Sequence, residues 1–116
     1  MKPEDFVKKI RKSILDQNVE IYKDLFNSTG VDQASDEYWK EALQFYGKLN
    51  SEERETLFKI VRQVSVDTIS NLFGVLDGVT CLDDQDEDFT LTIGDEGKEK
   101  INGDLQDIFL EIEEDQ

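Results

Sequence analysis

This chain has no histidine, a single cysteine and no long apolar run, and each shortage removes a class of function. Without histidine there is no imidazole to act as general base or metal ligand, so Ser-His, Cys-His and zinc-hydrolase mechanisms are excluded for the isolated chain. Cys81 stands alone, so it can neither close an intrachain disulfide nor build a thiolate metal site, which favours a reducing compartment. No stretch approaches the ~20 apolar residues that span a bilayer. The charged opening MKPEDFVKKIRKS has no apolar leader core. The expectation is a soluble, cytoplasmic protein that does not engage membranes.

Positive charge is also scarce. Thirteen Lys and Arg face 28 Asp and Glu, a net of −15, and this opposes direct contact with nucleic-acid phosphates. The one basic cluster, Lys8, Lys9, Arg11 and Lys12, is spread around a helix rather than lined along one strip. Half of the acidic residues fall from Val79 onward, where only Lys98 and Lys100 oppose them. So uneven a distribution presents a negative field to something positive.

What is present suffices for one folded domain over residues 1–116. A chain of this length buries roughly two thirds of its unfolded surface. With 37% hydrophobic residues, seven of them Phe, it has the material for a core. Pro3 followed by Glu4 and Asp5 opens a helix, and Val7, Ile10, Ile14, Ile21 and Leu25 recur at helical spacing, with a bend near Asn18 and a stop at Asn27 to Gly30. Ser35 is placed to cap a short aromatic-rich helix that ends near Gly47, and Asn50 or Ser51 a long central one that Gly78 terminates. Beyond Gly78 the period changes to two. Val79 and Cys81, then Phe89, Leu91 and Ile93, alternate with polar residues, which predicts a β-hairpin closed by the acidic loop Asp83–Asp88. Gly94 to Gly97 reads as a turn, and Ile101, Leu105, Ile108 and Ile112 predict a last amphipathic helix. The expected class is mainly α (α+β), with about four helices around a central one and a small β-hairpin before the C-terminal helix.

Two sets of residues bear on function. Asp84, Asp86, Asp88, Thr90, Thr92 and Asp95 fall at positions 1, 3, 5, 7, 9 and 12 of a calcium-loop spacing. Phe89, however, stands at the sixth position, where the sharp turn calls for Gly, and Asp95 is shorter than the usual bidentate Glu. A solvated acidic loop is the better reading, with a Ca²⁺-responsive module built on Asp84, Asp86, Asp88 and Asp95 as the alternative. The second set is Tyr38, Trp39, Phe45 and Tyr46, aromatics that serve either the core or a partner surface, with Tyr38 and Trp39 the best candidates for anchors.

No catalytic constellation, cofactor motif or resident metal site is legible, and a non-enzymatic protein-binding module follows. In size, acidity and lack of catalytic groups the chain resembles, in physical type rather than by any motif, the bacterial immunity proteins and small inhibitors that mimic DNA charge. That resemblance implies a basic protein partner such as a nuclease or nucleic-acid-binding protein. The partner-binding residues expected are Asp83, Asp84, Asp86, Glu87, Asp88, Glu111, Glu113, Glu114, Tyr38 and Trp39. The basic cluster is read as a solvated helical surface, or as a partner for the acidic tail of the same chain or of a neighbour in a homodimer.

Overall fold

Pro3 in the first turn, with Glu4 and Asp5 beside it, begins helix α1 (Pro3–Ile10). The computed structural model describes residues 1–94 and 99–116. Helix α1 runs without a break through a π-helical segment, Arg11–Asp16, into α2 (Gln17–Ser28). Within that segment the Gln17 N–H donates to the Lys12 carbonyl, one residue further back than in an α-helix. The extra residue per turn resets which side chains face inward. Val7, Leu15 and Val19 are buried, whereas Ile14, Ile21 and Leu25, expected on the inner face, are 47%, 52% and 38% exposed. Asn18, near which a bend was expected, lies within α2, just downstream of this wide turn.

Helix α3 (Glu37–Gly47) is capped by Asp36, whose carboxylate accepts from the Tyr38 N–H at 2.8 Å, one residue beyond the expected Ser35. Asn50 and Glu53 form a reciprocal capping box, both bonds 2.8 Å, at the start of α4 (Ser51–Asp77). Gly78 ends α4 in the left-handed conformation, at φ 81°. The last helix is α5 (Leu105–Glu114). Among the described residues no helix is long and apolar enough to cross a membrane.

The helices pair antiparallel, as the order of contacts along them requires. Asp77 meets Gln106, Phe73 meets Phe109 and Arg62 meets Glu113, so α5 runs back along α4. Phe6 meets Phe73, Asp16 meets Arg62 and Phe26 meets Phe58, so the α1–α2 run also opposes α4. Helix α5 thus fills the groove at one end of this pair, and α3 packs at the other. The core at the α5 end comprises Val7, Leu15, Val19, Val66, Ile69, Phe73, Leu105 and Phe109. At the α3 end Phe26 is the hub of an aromatic cluster, its ring 5.7 Å from Trp39, 5.0 Å from Tyr46 and 6.1 Å from Phe58. Gly74 faces α5 at close range, where a Cβ would stand 3.0 Å from the Gln106 side-chain amide, tighter than an ordinary van der Waals contact. That amide donates to the Ser70 carbonyl at 3.0 Å.

The expected β-hairpin does not form. No strand occurs among the described residues, and the molecule is mainly α rather than α+β. The reason is where the backbone of the alternating segment finds its partners. Leu91 does not pair with Val79 to Cys81; its carbonyl accepts from the Ile101 N–H at 2.9 Å, and its N–H donates to the Asn102 side-chain oxygen at 2.8 Å. The Asn102 amide then donates to the carbonyls of Leu76 and Phe89. One buried side chain therefore replaces a β-ladder, joining the loop to the end of α4. A hairpin would also need a core face to cover, and Ile101, Leu105 and Phe109 already fill that space. Of the turn expected over Gly94–Gly97, only Gly94 lies within the described residues; it has φ 77°.

Candidate functional site

The acidic loop leaves α4 at Gly78 and is stabilised by its own glutamine. Gln85 accepts from the Leu82 N–H at 2.8 Å and donates to the Glu87 carbonyl at 2.8 Å, while its N–H returns to the Leu82 carbonyl at 3.1 Å. Asp84 takes a positive φ of 62° within this turn, a conformation Asp tolerates better than most residues. Asp83, Asp84, Asp86, Glu87 and Asp88 are all exposed, and none is paired with a cation among the described residues. From Val79 to Gly94 the chain holds no Lys or Arg. No group of three or more described carboxylates gathers in a way that could hold a metal ion. Asp95, the last position of the calcium-loop spacing, lies outside the described residues.

Interleaved with these acids are apolar side chains turned to solvent. Val79 is 68% exposed, Leu82 51% and Phe89 40%. The period-two pattern assigns Val79 and Phe89 to the buried side of a strand and so misses them as surface groups. A signal for the alternative exists in the sequence: acids flank Leu82 and Phe89 closely, and such neighbours are costly to bury unpaired.

The acids of the last helix do not join the loop. Helix α5 is about 15 Å long, and its two ends lie at different levels of α4. Its N-terminus is capped from outside by Asp77, which accepts from Gly103 N–H at 2.6 Å and Gln106 N–H at 2.8 Å. Glu113, at the other end, is committed internally. Its carboxylate accepts from Arg11 Nε at 2.6 Å and Arg62 Nη2 at 3.2 Å, and Arg62 Nη1 also reaches Asp16 at 2.9 Å. Arg11 and Asp16 bracket the π-helical segment, so the wide turn and the ion-pair network share one place. The network supplies the cations that an acidic helix C-terminus needs, and it takes Glu113 out of any docking surface. Glu111 and Glu114 remain exposed beside it.

Tyr38 and Trp39 divide as adjacent helical residues should. Trp39 is half-buried, stacked on Tyr22 at 6.1 Å and tilted against Phe26, while Tyr38 is 65% exposed. Both lie at the α3 end, about 30 Å along α4 from the loop. The expected partner residues therefore occupy three places rather than one face. Between α2 and α4 lies a depression of about 400 Å³ lined by Lys23, Arg54, Lys59 and Arg62 over Tyr46 and Phe58. Arg54 sits 4.3 Å above the Tyr46 ring, Lys23 pairs with Glu20 at 3.6 Å and Arg62 belongs to the ion-pair network, so three of these four cations already have intramolecular roles. No protein-family model matches the chain, and comparison with curated proteins and with solved structures finds no significant match.

Proposed function

We propose that this chain is a non-enzymatic binding protein whose acidic loop docks a basic protein surface, such as the phosphate-binding face of a nuclease or nucleic-acid-binding protein, in the manner of an immunity or inhibitor protein. Its action belongs in the cytoplasm, where a lone exposed cysteine stays reduced. The observation that carries this reading is the loop itself. Five exposed carboxylates, without cationic partners among the described residues, flank Leu82 and Phe89 on a segment held in place by Gln85 and Asn102. Such charge steers encounter with a basic surface, and apolar groups among the acids supply the desolvated contacts that charge alone does not. Fixing the loop before binding lowers the ordering cost of association.

The test is binding to a basic protein retained from the source cell at low salt. Affinity should fall steeply as salt is raised, and Asp83→Lys/Asp86→Lys/Glu87→Lys should weaken it by about a hundredfold or more through lost attraction and new repulsion. Leu82→Ser should weaken it with little change in the salt slope. Equal affinity of wild type and the charge-reversed chain, with no salt dependence, would defeat the proposal.

A further inference from the structure

We propose that the outward face of α4 is a homodimer interface, on which a second copy of this chain lays its own α4 antiparallel. Leu57, Val61, Val64, Thr68, Asn71 and Val75 follow the alternating four-and-three spacing of a coiled-coil seam. This seam is distinct from the face that packs inside the subunit. At about 100° per residue, Val64 stands on the side of the helix opposite Phe73. Phe58, Val66, Ile69 and Phe73 are buried within the chain, while Leu57, Val61 and Val75 of the seam are half-buried, and Val64 in the seam and Ile60 and Leu72 flanking it on either side are 59%, 56% and 58% exposed. In a chain with 35% charged residues, the stretch from Gln63 to Leu76 contains a single charge, Asp67. A solvated helix face has no need of such composition; a second interface does.

The dimensions of the subunit support a like partner. Its accessible surface is 8546 Å². A compact monomer of this mass exposes about 6,500 Å². The radius of gyration is 18.1 Å, and the subunit measures 52 × 33 × 26 Å. A compact domain of this length has a radius of about 13 Å. The excess surface, ~2,000 Å², exceeds the roughly 800 Å² per partner of a standard interface. Association of two narrow subunits side by side would bury part of it.

Charge selects the orientation. Parallel pairing would bring the two acidic loops together beyond Gly78. Antiparallel pairing sets them at opposite ends of a 27-residue helix. That is about 40 Å, several Debye lengths at physiological salt. The same arrangement leaves both loops free, so the dimer does not depend on the basic-partner reading.

The test is sedimentation equilibrium of the full chain across a concentration series at low and high NaCl. A dimer of twice 13.4 kDa is expected, tightening as salt screens the repulsion between two acidic subunits. Val64→Glu/Leu72→Glu alters positions already exposed in the subunit, so far-UV circular dichroism should be unchanged while the dimer constant weakens by about a hundredfold or more. The conservative pair Val64→Leu/Leu72→Ile should still dimerise. A monomer at every concentration and salt would overturn the proposal, as would a dimer that survives the double Glu variant. Because salt strengthens this contact and weakens docking of a basic partner, the two proposals fail separately.

Discussion

Asn102→Ala tests whether one side chain does the work of a β-ladder. Asn102 is 7% exposed, accepts from the Leu91 N–H at 2.8 Å and donates to the carbonyls of Leu76 and Phe89. A typical intramolecular hydrogen bond contributes about 0.5–1.5 kcal/mol net, and a buried group left unpaired costs more than the bond it lost. Removing three bonds and stranding the Leu91 N–H should therefore cost about 2–4 kcal/mol, a large part of the ~5–15 kcal/mol that stabilises an ordinary domain. In urea, with a slope of about 1–3 kcal/mol/M, the midpoint should fall by about 1–2 M. Far-UV circular dichroism reports the transition, and amide exchange at Leu91 should accelerate well before exchange in the α5 core around Phe109. Asn102→Asp keeps the acceptor toward Leu91 but turns lone pairs on two carbonyl oxygens, so it should cost at least as much. A midpoint shift below about 0.3 M with an unchanged slope would refute the reasoning, since water would then have replaced the side chain at no net cost.

Two further outcomes follow from the α5 contacts. Asp77→Ala removes the acceptor for both Gly103 N–H and Gln106 N–H and should destabilise by about 1–2 kcal/mol, while Asp77→Asn should retain part of that capping; equal stability of Asp77→Ala and wild type in urea would contradict it. Glu113→Gln leaves Arg11 and Arg62 facing an uncharged amide at a site where the Glu113 side chain is 16% exposed, and should cost about 1–3 kcal/mol. Double-mutant cycles with Arg62→Met should show coupling, and simple additivity would mean that the network is decorative.

The helical elements were readable from the sequence because their signals are local. Pro3 with its following acids, the Asn50–Glu53 box and Gly78 act on the backbone within one turn, whatever the rest of the chain does. The exposed acids Asp83 to Asp88 were equally legible, since unpaired charge in such density has nowhere to go but water. What misled was periodicity without a partner. Phe89, Leu91 and Ile93 alternate as a strand would, yet a strand is defined by what it hydrogen-bonds to, and Asn102 lies eleven residues beyond Leu91. The face of the first helix was likewise misjudged because the π-helical segment shifts the register by geometry that residue spacing does not announce.

Residue order and composition alone determined that this is a histidine-free, strongly acidic, mainly helical chain with its charge gathered beyond Gly78, because those properties are sums and local propensities. Only the tertiary structure decided which charges are available. It enclosed Glu113 between Arg11 and Arg62, turned Asp77 onto α5, left the loop acids exposed beside Leu82 and Phe89, and exposed the second apolar face of α4. Each of these outcomes depends on residues far apart in the chain meeting in space, and pairing energies at that range exist only once the helices have packed.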